Sequence, residues 1–126
     1  MKKIIHTDSA PKAVGPYSQA VDIGQFVFCS GQIAIDPASN EVLKVDVVQQ
    51  TKQVMKNIEA VLKASDLHFS HIIKTTIFLT DMNDFAKVNE VYSSFLTAPF
   101  PARSTVAVSG LPKGVNVEIE VTAARV

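Results

Sequence analysis

Two stretches of this chain repeat their apolar residues at helical spacing, and β-prone segments stand before, between and after them. In the first stretch Val47, Val54, Met55, Ile58, Val61 and Leu62 fall on one face; in the second the same holds for Phe85, Val88, Val91, Tyr92, Phe95 and Leu96. The strand-like segments are Lys2–His6, Ala20–Ile23, Phe26–Ser30, Ile72–Leu79, Arg103–Val108 and Val115–Ala124. The order is therefore β-β-β-α-β-α-β-β. Two helices interspersed among six strands predict an α+β fold, a six-stranded sheet with both helices on one face. The uncovered face then needs another molecule against it, which points to an oligomer.

Local signals set the boundaries. Asp46, with Gln49 three residues on, predicts the start of helix one, which should end near Ser65-Asp66. The polar run Asp81–Asp84 supplies a cap for helix two, and Pro99 and Pro101 lie beyond its end. Gly24-Gln25 turns the first hairpin, Asp36–Asn40 reads as a turn, and Ala10–Pro16 holds too much proline for a central strand.

With 126 residues and no linker or low-complexity tract, positions 1–126 are expected to form one domain. Only 19% of residues are charged. A surface so poor in charge again favours burial between identical copies. Net charge is zero, and the basic residues are scattered. That argues against a sequence-independent nucleic-acid binder, which needs a basic patch to displace phosphate counterions. No apolar run is long enough to span a bilayer, the first residues lack a signal-peptide pattern, and Cys29 has no disulfide partner. These features suit a cytoplasmic protein.

Chemistry concentrates between Pro101 and Glu120, P-A-R-S-T-V-A-V-S-G-L-P-K-G-V-N-V-E-I-E. Side chains alternate along a strand, so Arg103 and Thr105 share a face, as do Glu118 and Glu120. If the two strands pair as a hairpin through Ser109–Gly114, a guanidinium and a carboxylate converge on one small site. Arginine suits a planar carboxylate through paired hydrogen bonds, and a glutamate beside it can orient and deprotonate water. The same residue types also make an ordinary cross-strand ion pair of small energetic value.

The remaining candidates are weaker taken singly. Tyr17 follows Gly15-Pro16 on a loop, where a tyrosine is usually an amphipathic plug. Ser30-Gly31-Gln32 ends an apolar strand and could offer a hydroxyl and a backbone N–H to a ligand; a glycine there is equally often a bulge. Cys29 reads as a small buried hydrophobe. His6, His68 and His71 lack metal-ligand spacing, so no metal is assigned, and no glycine-rich nucleotide loop is present.

Together, G-P-Y-S-Q at Gly15–Gln19, S-G-Q-I at Ser30–Ile33, N-D-F-A at Asn83–Ala86 and the P-A-R-S…L-P-K-G…E-I-E block resemble the RidA/YjgF family along essentially the whole chain. The resemblance implies a subunit similar to bacillus-type chorismate mutase, in a homotrimer around a central barrel-like core with sites between neighbours. It implies hydrolysis of 2-enamino and 2-imino acids, such as 2-aminoacrylate, 2-iminopropanoate and 2-iminobutanoate, to 2-keto acids and ammonia, with no cofactor. Such an activity protects pyridoxal-phosphate enzymes from these reactive intermediates.

Carried over residue by residue, Arg103 matches the arginine that grips the substrate carboxylate and Glu118 the glutamate that positions water. Tyr17 matches an aromatic wall, and Ser30 and Gly31 the loop lining the site. Thr105 departs from the pattern, standing where many members have cysteine. The family role at that position can be carried by the main-chain carbonyl, which threonine keeps; a thiol response there is excluded. Glu120 shares a face with Glu118 and has no assigned role. Two other readings use the same resemblance: a non-catalytic trimer sensing 2-keto acids, which would need Arg103 but not Glu118, and an RNA-directed translation inhibitor, disfavoured by the neutral charge.

Overall fold

The computed structural model describes residues 2–126. Strands β1 (Lys3–Ile5), β2 (Ala20–Asp22) and β3 (Phe26–Cys29) lead into a two-residue pair, β4 (Ile35–Asp36) and β5 (Glu41–Val42). Helix α1 (Val47–Lys63), β6 (Ile72–Leu79), α2 (Phe85–Ser94), β7 (Ala102–Ala107) and β8 (Val117–Ala124) follow. Six strands form one mixed sheet in the order β1-β2-β3-β8-β6-β7. The expected alternation is present. The turn expected at Asp36–Asn40 closes the small β4–β5 pair, whose two-residue strands are too short to carry a strand periodicity.

Asp46 caps α1 as its spacing predicts, its side chain accepting from the Gln49 amide at 2.9 Å. Such a cap contributes about 1 kcal/mol. Helix two starts differently from expectation. Asp81 accepts from the Asn83 amide and caps a short 3-10 turn, Met82–Asp84, and α2 continues from that turn without a side-chain cap of its own.

Both helices lie on one face of the sheet. Val54, Ile58, Val61 and Leu62 of α1 and Val88 and Tyr92 of α2 join Ile77, Leu79, Val117, Ile119 and Val121 in a continuous buried core. Alternation along β8 sends Val117, Ile119 and Val121 into that core and turns Glu118, Glu120 and Thr122 the other way. The opposite face carries the exposed apolar side chains Ile4, Phe26, Phe28 and Val106, consistent with the expected need for cover.

One pairing differs from the sequence reading. Strands β7 and β8 do not form a hairpin, because β6 lies between them, parallel to β7 and antiparallel to β8. The physical reason is the β6–α2–β7 unit. A strand followed by a helix packed on the sheet returns as a parallel neighbour, so β7 takes the edge beside β6 and β8 must cross to the other side.

Candidate active site

Glu118 sits in a cleft of about 520 Å³ whose wall includes Tyr17, Ser30, Gly31, Gln32, Ile33 and Pro112. The local path of the chain explains the placement. Strand β3 pairs with β8 up to Phe28↔Thr122, and pairing resumes at Gln32↔Ile119, a slip of one residue. The irregularity presses Gly31 against the Glu118 carboxylate: a side-chain carbon built on Gly31 would overlap Glu118 Oε2 and fall 2.9 Å from its Cδ. Only glycine leaves Glu118 where it is.

The loop above is tied down by one buried side chain. Gln19 donates to the carbonyls of Thr7 and Pro11 at 3.0 and 2.8 Å and accepts from the Thr7 amide at 2.7 Å. This fixes the Pro11–Tyr17 segment that lines the cleft mouth. Tyr17 is half exposed on that wall. The Ser30 hydroxyl donates to the Ser18 carbonyl at 2.6 Å, so its hydrogen is already engaged in holding the loop.

Electrostatics favour a basic carboxylate. Partial burial raises the Glu118 pKa above its ordinary value, and Glu120 on the same face raises it further by like-charge repulsion. Cys29, by contrast, is inert: burial pushes its thiol up to about 12. Among the described residues no group of three or more His, Cys, Asp or Glu side chains is placed to hold a metal ion.

Arg103 lies elsewhere. It pairs with Thr75 of β6, which in turn pairs with Val121 of β8, so Arg103 is on the helix side of the sheet while Glu118 is on the other. Within one chain the two do not converge, contrary to the hairpin expectation. Arg103 occupies a separate shallow depression with Asn89, Tyr92, Phe100 and Pro101. Its guanidinium stands 5.5 Å from the Phe85 ring centre and 5.3 Å from that of Tyr92, and its Nη1 donates to Asn89 Oδ1 at 2.6 Å. Thr105 shares the Arg103 face, and its buried hydroxyl has no hydrogen-bond partner.

Sequence reasoning puts Tyr17, Ser30, Gly31, Arg103, Thr105 and Glu118 at one site; within one chain, Tyr17, Ser30, Gly31 and Glu118 line one cleft while Arg103 and Thr105 lie together on the edge strand. It missed Asn89, Gln19 and the Ile33 wall. Gln19 falls inside a quoted motif, whereas Asn89 lies mid-helix and carried no signal beyond being a polar residue between apolar ones.

The chain is an α+β subunit with a cleft around a partly desolvated glutamate and an arginine on an edge strand, and it is similar to known proteins. Residues 7–125 match the family model described as Endoribonuclease L-PSP. Protein DfrA of Myxococcus xanthus is 57% identical over 124 residues, covering 97% of this chain and 95% of that protein. The 2-iminobutanoate/2-iminopropanoate deaminase of Salmonella typhimurium is 48% identical over 128 residues, with 99% of each chain covered. The crystal structure of E. coli TdcF with bound serine superposes with a TM-score of 0.94 at 47% identity, covering 98% of this chain and 99% of that one. The chain belongs to this family, which includes the RutC, YjgF and RidA proteins, as its four motifs indicated.

Proposed function

We propose that this protein hydrolyses 2-enamino and 2-imino acids, such as 2-iminopropanoate and 2-iminobutanoate, to 2-keto acids and ammonia. The observation that carries the reading is the Glu118 carboxylate, partly desolvated, of raised pKa and held against the bare Cα of Gly31 in the wall of a cleft. A carboxylate whose pKa is raised toward neutrality is a better base at working pH. The relative named as a deaminase of these two imino acids, and the related protein crystallised with serine, support a small amino-acid-derived ligand.

The site is completed between subunits. Arg103 and Glu118 face opposite sides of one sheet, which supports a site shared with a neighbouring copy that brings its Arg103 to this chain's Glu118 cleft. A homotrimer arranged like bacillus-type chorismate mutase, with the open sheet faces forming a barrel-like centre, would also cover Ile4, Phe28 and Val106. The described residues contain no helix long and apolar enough to cross a membrane, and the proposed substrates arise where pyridoxal-phosphate enzymes work, in the cytoplasm.

The reaction then runs on few groups. Arg103 binds the substrate carboxylate through its planar fork, and the Thr105 carbonyl accepts a hydrogen bond from the protonated imine nitrogen. Water held by Glu118 adds to the imine carbon as Glu118 takes its proton. Glu118 then returns that proton to the carbinolamine nitrogen, the C–N bond breaks with its electrons leaving on ammonia, and the hydroxyl gives its proton back to Glu118 as its C–O bond becomes the ketone C=O. Tyr17, Ser30 and Gly31 wall the substrate. No cofactor is needed, because a protonated imine is already electrophilic.

The test generates imines in place with an amino-acid oxidase or a threonine dehydratase and traps them with semicarbazide. The protein should suppress the adduct and speed keto-acid release. Binding of 2-keto acids without any such acceleration would replace the enzyme by a sensor, for which Arg103 suffices and Glu118 is dispensable.

A further inference from the structure

Three residues of α2, Phe85, Asn89 and Tyr92, fall at spacings of four and three and so form one stripe along the helix. All three touch a single side chain, Arg103, which reaches them from the edge strand β7. Both ring centres lie within 5.5 Å of the guanidinium carbon, and the Tyr92 ring is itself fixed by a hydrogen bond from its hydroxyl to Thr75 Oγ1 at 3.0 Å. Rings hold a cation near their faces but leave it free to turn in plane. Asn89 removes that freedom. An arginine has no acceptor, so the atom facing Nη1 must be the amide oxygen, and the bond at 2.6 Å is short for its kind.

Asparagine is a poor choice for the middle of a helix on grounds of propensity, and alanine would suit the backbone better. Its presence at position 89 is explained by the bond to Arg103. We infer that Asn89 is a positioning residue that sets the rotation of the Arg103 guanidinium in its Phe85/Tyr92 seat, so that the remaining N–H groups present a preformed fork to the substrate carboxylate. The inference rests on the proposed reading of Arg103 as the carboxylate holder. It adds that affinity depends on a neutral acceptor at position 89: a carboxylate there would hold the guanidinium as an ion pair and compete with the ligand.

Calorimetric binding of 2-ketobutyrate, with thermal unfolding and imine-hydrolysis kinetics alongside, separates the possibilities. Asn89→Ala should unfold at the same temperature or higher, while its Kd and KM rise about tenfold and kcat stays within about twofold, since orientation of a charged contact is lost but the fold is not. Asn89→Asp, nearly identical in shape and able to accept the same bond, should bind worse than Asn89→Ala, by roughly a hundredfold relative to the wild type. Unchanged Kd in both variants, with Arg103→Ala unable to bind, would overturn the role of Asn89 and leave Arg103 as the carboxylate holder. Arg103→Ala binding the keto acid as tightly as the wild type would instead overturn the reading of Arg103, and this inference with it. Asn89→Asp binding as well as the wild type would show that only shape matters at position 89, and would also overturn it.

Discussion

Gly31 and Glu118 pack so closely that no side chain fits at position 31 while Glu118 keeps its place: a β-carbon on Gly31 would fall 2.9 Å from Glu118 Cδ and overlap its Oε2. The obstructed group is the end of a flexible side chain, so the clash is relieved by moving the carboxylate rather than the backbone. Gly31→Ala should therefore fold and melt within a few degrees of the wild type, yet lose about a hundredfold or more in imine hydrolysis, the scale of a lost general base. Steady-state kinetics beside a thermal melt check this. Wild-type activity in Gly31→Ala would mean that the carboxylate's position is not used.

Glu118 and Glu120 make a second test. The folded-state pKa of Glu118 lies above its unfolded value, through burial first and the Glu120 charge second. The sign follows directly: the folded protein holds the proton more tightly, so stability from this group is present below the unfolded pKa of about 4.3 and declines as pH rises through the folded value. Glu118→Gln should consequently melt higher than the wild type at pH 7, with the difference closing near pH 4, while hydrolysis falls by roughly a hundredfold. Glu120→Gln removes one of the two causes. The acid limb of its pH–rate profile should move to lower pH, with activity at neutral pH retained. A limb that stays in place would show that the two carboxylates are not coupled.

Thr105 tests the unpartnered hydroxyl. Its oxygen is buried on the helix side of β7 without a hydrogen bond, a state that costs stability. Thr105→Val keeps the shape and removes the polar atom, so it should be more stable in urea by roughly 1 kcal/mol. Thr105→Cys should do nearly as well, since a buried thiol behaves as a small hydrophobe. Both, and Thr105→Ala, should retain most activity if the main-chain carbonyl carries the catalytic contact. Loss of several orders of magnitude in all three, with assembly intact, would assign the work to the hydroxyl.

The elements were legible because periodicity is local. Val54, Ile58 and Leu62 repeat at helical spacing whatever they pack against, and Asp46 announces the α1 terminus through a bond to its own third neighbour. Adjacency in the sheet was not legible in the same way. Ser109–Gly114 looks like a hairpin loop from its composition, but whether β7 pairs with β8 is decided by where α2 returns the chain. The helix between Ile72–Leu79 and Arg103–Val108 was itself a βαβ signal and points to the observed parallel pairing. The Glu118 side of the site could be gathered from motifs because its residues cluster around one bulge. The Arg103 seat could not, since Asn89 matters only through a contact between α2 and β7.

If each site joins the Arg103 face of one subunit to the Glu118 cleft of another, mixing two inactive variants should restore activity. Arg103→Ala and Glu118→Gln should each be inactive alone, the first for want of a carboxylate holder and the second for want of a base. Denatured together in equal amounts and refolded, they should form mixed rings in which about a quarter of the sites pair an intact Arg103 with an intact Glu118, and hydrolysis should recover to about that fraction of the wild-type rate. A mixture no more active than its two parents, with mixed oligomers shown by mass spectrometry, would contradict the account.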